Sequence, residues 1–257
     1  MLDAIIWGLV QGMTEFLPVS SDGHLILVPA FLSKLGWEVG LPDLATTAFL
    51  HLGTLAAVLA YFRRDLAWLL RFPTDAMARR TLGLLMVGTI PAVFALFVTD
   101  EVDRLGDSPR LVAFFVLVTG VVLLVASRVR PGHRQMTGIK PLDALLIGVA
   151  QLVAILPGIS RSGMTIAAGT GLGVDLKEAA RFSFLLGIPA IAAAGVLEGG
   201  NVLSTGAASP PTWVGLGVAA VSGYVAISIL LRLLGRSGLG PFAAYCLAVG
   251  VLGIAVL

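Results

Sequence analysis

Gln11 and Glu15 are four residues apart, so on a helix their side chains share one face. Ser21 and His24 are three apart, a spacing that lets a hydroxyl and an imidazole approach each other where a helix begins. Far along the chain, Arg161 stands among Ser160, Ser162 and Gly163, again at an expected helix start. Helix starts offer free backbone N–H groups and the positive end of the helix dipole, which suit a phosphate. A carboxylate able to hold a divalent cation, an arginine to neutralise equatorial oxygens, a serine to attack and a histidine to act as its base make a kit for phosphoryl transfer. A positioned base contributes about 10²- to 10⁴-fold, so charge stabilisation must supply much of the rest.

These polar residues must be positioned by elements that are otherwise apolar. Of 257 residues, 57% are hydrophobic and only 12% charged. A soluble domain carries about 25% charged residues, and half that density cannot coat a surface facing water. A soluble enzyme, a disordered chain and, with a single Cys, a disulfide scaffold are all excluded. The net charge of +2 does not point to nucleic acid, because the basic residues sit in short loops between apolar runs. No Lys or Arg precedes the first apolar run and no small-residue cleavage pattern follows it, so the N-terminus reads as mature structure.

Six apolar runs, near 44–62, 82–99, 111–127, 179–197, 212–231 and 240–257, are long enough to span about 30 Å of hydrocarbon. Four more, near 4–16, 23–35, 142–156 and 163–173, are too short. They form two pairs, joined by the turns Leu17-Pro18-Val19-Ser20-Ser21-Asp22-Gly23 and Leu156-Pro157-Gly158-Ile159-Ser160-Arg161-Ser162-Gly163. Each pair reads as a re-entrant helical hairpin.

The expected fold is therefore an all-α polytopic membrane protein with an inverted-topology repeat, each half a re-entrant hairpin plus three transmembrane helices. Repeat one covers 1–128, a basic cytoplasmic linker 129–140, and repeat two 141–257. Gly8-Leu9-Val10-Gln11 answers Gly148-Val149-Ala150-Gln151 at the same place in each half. Three spans per half force the halves to be inverted. Arg63, Arg64, Arg71, Arg79 and Arg80, the linker's Arg128, Arg130, Arg134 and Lys140, and Arg232 with Arg236 mark the cytoplasmic side. The loop from Asp100 to Arg110 is net acidic and that from Gly199 to Pro211 uncharged, which places both outside. The hairpins then enter from opposite faces and their tips meet near the midplane.

Polar residues within these segments are costly and need a reason. Ser20 reads as a turn residue or N-cap, while Ser160 and Ser162 read equally as caps or as substrate contacts. Gln151 reads as a bridge between helices, and His51 as a satisfied polar residue near the external side. Cys246 reads as an inert small residue on a lipid-facing helix, and the small residues from Ala190 to Gly195 as packing surface.

The motif from Gln11 through Glu15, Pro18, Ser21 and Asp22 to His24 closely resembles the first signature of the undecaprenyl-diphosphate phosphatases, the bacitracin-resistance family. Pro157-Gly-Ile-Ser-Arg161-Ser-Gly163 resembles the second. His51-Leu-Gly-Thr54, the Arg63-Arg64 pair and Phe182 through Pro189 resemble further family blocks, so the similarity runs nearly end to end. It implies a multi-pass enzyme of the bacterial inner membrane that removes one phosphate from a C55 lipid diphosphate, recycling the carrier for cell-wall synthesis. It implies dependence on a divalent cation, Mg2+ or Ca2+, and catalytic roles for Glu15, Ser21, His24 and Arg161. Ser20, Gly23, Ser160, Ser162 and Gly163 are then the substrate-binding candidates, and Glu15, Gln11 and Asp22 the metal candidates. Gln11 stands where many relatives have a second Glu, Asp22 where Thr is common, and Cys246 where the pattern leads to Arg.

Two functions remain on these residues. One is the phosphatase, with Ser21 attacking and His24 as base, or with His24 attacking directly. The other is a secondary transporter or flippase for a polyprenyl phosphate or another anionic substrate, since inverted repeats with broken helices are also a transporter design. Expected partners are the polyprenyl diphosphate, membrane lipids and, as a homodimer, a second copy of the chain, with no nucleic acid.

Overall fold

A computed structural model describes the chain except residues 38–41, 43, 98–101, 103, 131 and 205–208, and except the side chains of 44, 45, 96, 97, 196–198 and 200–204. The end of the expected span at 82–99, and parts of both external loops and of the linker, lie outside the described residues. Those that are described form eleven α-helices and no strand, only one isolated bridge between Arg134 and Val174.

The first hairpin is α1 (Leu2–Phe16) and α2 (Ser21–Lys34). Helix α1 ends because Leu17 precedes Pro18 and is pushed into extended geometry, with ψ at 142°. The chain continues through α3 (Leu44–Tyr61), α4 (Arg63–Leu69), α5 (Ala76–Val93) and α6 (Pro109–Arg128). The second hairpin is α7 (Pro141–Val153) and α8 (Arg161–Gly171), followed by α9 (Leu176–Ser204), α10 (Pro210–Ser237) and α11 (Gly240–Val256). All four short apolar runs are thus separate short helices, broken where the Pro- and Ser-rich turns required.

Among the described residues, three helices are long and apolar enough to cross a membrane by length and composition: α6, the stretch Leu176–Gly195 of α9, and α10. The apolar stretches Thr46–Tyr61 and Gly240–Val256 are shorter, so of the six expected spans these three meet that measure. Met86, Val125 and Val221 are each at least 60% exposed. Apolar side chains projecting outward along such helices match a lipid surround.

Helix α1 packs against α10 and α7 against α5, both at very close range. A Cβ on Gly12 would overlap the Ser222 hydroxyl, and one on Gly148 would overlap the backbone of Gly88, so only glycine permits either approach. Helix α3 packs between α9 and α10, and α6 pairs with α11.

The basic segments gather at one end. Arg80 bonds the carbonyls of Thr137 and, at 2.8 Å, Ile139 in the linker. Arg134 bonds Asp143 at 2.7 Å and the Leu172 carbonyl, fastening the linker to both helices of the second hairpin. Arg181 pairs with Asp65 and with Glu178, whose other oxygen accepts from the Met136 amide.

Candidate active site

Each hairpin tip is built by a serine cap. Ser20 accepts from the Gly23 amide at 3.2 Å and Ser160 from the Gly163 amide at 3.1 Å, which settles both as N-caps. Ser20 does so at φ +73°, a left-handed conformation uncommon for a residue with a Cβ, whereas in the second tip it is Gly158 that turns left, at φ +103°. Thr119 of α6 braces the second tip, donating to the Gly158 carbonyl and accepting from the Ser160 amide, both at 3.1 Å. Ser162 ties the tips together, donating to the Leu17 carbonyl at 3.2 Å.

Glu15 is the meeting point. Its Oε2 accepts from Ser21 Oγ at 2.7 Å and from Gln11 Nε2 at 3.1 Å, and its Oε1 pairs with Arg161 from the other hairpin. Arg161 also donates to the Gly187 carbonyl at 2.9 Å. A Cβ on Gly187 would lie 2.5 Å from that guanidinium, so glycine makes room for it. Glu15 is only 8% exposed, and a carboxylate so placed needs this pairing to stay ionised. Beside it lies a cavity of about 140 Å³ lined by Glu15, Ser20, Ser21, Asp22, Ser160 and Arg161.

His24 faces elsewhere. Its Nδ1 donates to the Ser20 carbonyl at 2.7 Å, which leaves Nε2 of the neutral ring to accept from the Tyr245 hydroxyl at 2.7 Å. The two rings stack with planes 9° apart. The expected Ser21–His24 pairing is therefore corrected: the hydroxyl bonds Glu15, and α11 draws the imidazole away. Cys246 is corrected too, being fully buried with its thiol 3.6 Å from the Pro18 carbonyl rather than facing lipid.

His51 is satisfied at Nδ1, which donates to the Thr47 carbonyl at 3.0 Å, yet the residue also lines the cavity. Ala190, Ile191 and Ala194 line it as well, so the small-residue stretch of α9 is both packing surface and cavity wall. Gln151 has no hydrogen-bond partner for its buried amide among the described residues, so the bridge expected of it is not made. Sequence reasoning missed Thr119 and Tyr245. Neither carries a local signal, because both act on tips far away in the chain.

For a divalent cation the donors are hard oxygens. Glu15 and Asp22 line the cavity, and Gln11 Oε1 is buried beside Glu15 with no hydrogen-bond partner among the described residues. No group of three or more acidic, His or Cys ligands occurs among the described residues. That set suits an ion held by one or two carboxylates together with phosphate oxygens, the usual mode for Mg2+.

The chain is similar to known proteins over nearly its whole length. The chain is 38% identical to an undecaprenyl-diphosphatase of Geobacter sulfurreducens, over 97% of this chain and 96% of the relative. It is 40% identical to one of Thermomicrobium roseum (99% and 97%) and 41% identical to one of Teredinibacter turnerae (98% and 97%). The family model described as bacitracin resistance protein BacA matches residues 4–252, from the start of α1 into the last turns of α11. A match that takes in both hairpins and every helix between them leaves one conclusion: the chain belongs to the BacA family.

Proposed function

We propose that this protein is a membrane phosphatase that hydrolyses undecaprenyl diphosphate to undecaprenyl phosphate and inorganic phosphate. The observation that carries the reading is Glu15, which joins a serine hydroxyl of one hairpin to a guanidinium of the other at the edge of a polar cavity. The relatives' names are those of a hydrolase, and the transport alternative draws no support from them.

In the proposed mechanism the terminal phosphoryl group lodges between the tips. Its oxygens compete with Glu15 for Arg161, which frees the carboxylate. Ser21 Oγ forms a bond to phosphorus, the bridging P–O bond breaks, and lipid phosphate leaves. The serine proton passes to Glu15, the group its hydroxyl already bonds. Glu15 releases that proton to the departing lipid phosphate. Water then attacks the phosphoserine and gives a proton to Glu15, which returns it to Ser21 Oγ as the serine O–P bond breaks and orthophosphate departs. Arg161, the backbone amides at the capped tips and the hydroxyl of Ser160 stabilise the charge that develops. Both ring nitrogens of His24 are engaged, by the Ser20 carbonyl and the Tyr245 hydroxyl, so in this scheme it positions the first tip. Glu15 and Asp22, with Gln11 assisting, would hold a divalent cation, which supplies charge neutralisation at the phosphate oxygens.

The finer architecture belongs to the same proposal. An inverted repeat in the bacterial inner membrane, with the basic end in the cytoplasm, is supported by the paired packing of α1 on α10 and α7 on α5 and by the two matching serine caps. Repeat one is then 1–128, the linker 129–140 and repeat two 141–257. Self-association as a homodimer is read from the mass of the detergent-purified protein.

The test is inorganic phosphate release from a polyprenyl diphosphate with magnesium, calcium or chelator, beside Ser21→Ala and Arg161→Ala. Metal-dependent release that both variants lose is expected. A phosphoenzyme trapped on His24 that survives Ser21→Ala would overturn the assignment of the nucleophile.

A further inference from the structure

At the basic end, away from the hairpin tips, a second cavity of about 320 Å³ opens between α3, α9 and α10. Its cations are Lys177 and Arg181 from the start of α9 and Arg232 from α10; its apolar wall is Tyr61, Phe62 and Leu231. Arg181 is already neutralised, held between Asp65 and Glu178. It is a fixed floor rather than a free charge. Lys177 and Arg232 form no ion pair with any described residue, and both project outward. The Lys177 side chain lies across Gly235 of α10, where a Cβ would come within 2.6 Å of the ammonium nitrogen. A glycine at that point lets the lysine stem lie along the helix.

Two unpaired cations of different helices above an apolar wall, in the segment that marks the cytoplasmic side, form a receptor for one anionic group carried on an apolar body. We propose that this cavity binds the phosphodiester headgroup of an anionic phospholipid of the cytoplasmic leaflet. The phosphate sits between Lys177 and Arg232, and the glycerol and first acyl carbons lie against Tyr61, Phe62 and Leu231. Aromatic residues with a polar tip, such as Tyr61, favour this depth in a bilayer. The site is separate from the phosphate cavity at Glu15 and shares no lining residue with it.

The experiment is native mass spectrometry of the detergent-purified protein titrated with phosphatidylglycerol or phosphatidylcholine. Wild type, Lys177→Gln/Arg232→Gln and the control Arg79→Gln, which removes a charge on the same face outside the cavity, are compared. The double variant should bind phosphatidylglycerol roughly ten- to thirtyfold more weakly, while wild type and control hold it alike and phosphatidylcholine is held weakly by all three. Unchanged phosphate release by the double variant shows that it is folded. Equal affinity in the double variant and the control would overturn the proposal, as would equal binding of phosphatidylcholine. Displacement by inorganic phosphate at matched concentration would also overturn it, by making this a free-anion site rather than a lipid site.

Discussion

The two hairpin tips share a plan and differ in what each step of it carries. Both place a serine cap just before a short helix, and both caps accept an amide three residues on. After the cap, the first tip presents the Ser21 hydroxyl and the second the Arg161 guanidinium. The left-handed turn falls on the cap itself in the first tip and on a glycine two residues earlier in the second. Their braces differ as well. Thr119 makes two ordinary hydrogen bonds to the second tip, whereas the first is held by a thiol on the Pro18 carbonyl and by Tyr245 on His24. The second tip is thus a relaxed mount for a charge, and the first is a strained mount for a hydroxyl. Strain stored at such a position costs about 1–3 kcal/mol and persists only where the surroundings over-determine it.

The sharpest way to break this contrast is to remove the charge from the relaxed tip. Arg161→Ala should lower phosphate release by about 10³-fold or more, the scale of a lost arginine in phosphoryl transfer. Arg161→Lys should recover only part of it, since one ammonium cannot serve the Gly187 carbonyl and Glu15 in the same fixed geometry. Steady-state release across the three proteins measures both effects.

On the strained tip, Ser21→Ala should cost about 10²- to 10⁴-fold in kcat, and His24→Ala distinctly less. Tyr245→Phe separates the two roles open to His24. If His24 positions the tip, losing the hydroxyl should lower release several-fold, in the same direction as His24→Ala. A rise in release would instead mean that Tyr245 withholds a working base, and that Glu15 is not the proton acceptor.

Smaller effects test the strain directly, by thermal unfolding in detergent. Gly158→Ala should destabilise by about 1–3 kcal/mol, because the turn is left-handed and the added Cβ would overlap the Val112 carbonyl. Ser20→Gly should behave oppositely. It forfeits a few tenths of a kcal/mol of capping but relieves about 1 kcal/mol of backbone strain, so the protein should gain slightly in stability while losing activity. Equal destabilisation by both substitutions would erase the distinction between the tips. Last, Ser160→Ala should cost about 1 kcal/mol, the ordinary worth of an N-cap.

Much of this molecule is legible in short stretches of sequence. Charge density and apolar run length exclude water as the surroundings, and Leu17-Pro18 and the Ser/Gly turns break the hairpins where proline geometry and capping demand it. Glu15 above Gln11 follows from four-residue helical spacing, and their hydrogen bond is present. Such features are decided by neighbours within one helical turn, so the chain carries them wherever it is folded.

Tertiary structure decided the partners. The three-residue spacing of Ser21 and His24 permitted their pairing, but a carboxylate on α1 took the hydroxyl and a tyrosine 221 residues away took the imidazole. Arg161 meets Glu15 across 146 residues of chain, and His51, satisfied within its own helix, still faces the cavity. Each of these depends on how closely helices approach, which glycines at 12 and 148 permit but do not aim. Spacing along a helix sets which side chains share a face. Only the packing of one helix against another sets what that face meets.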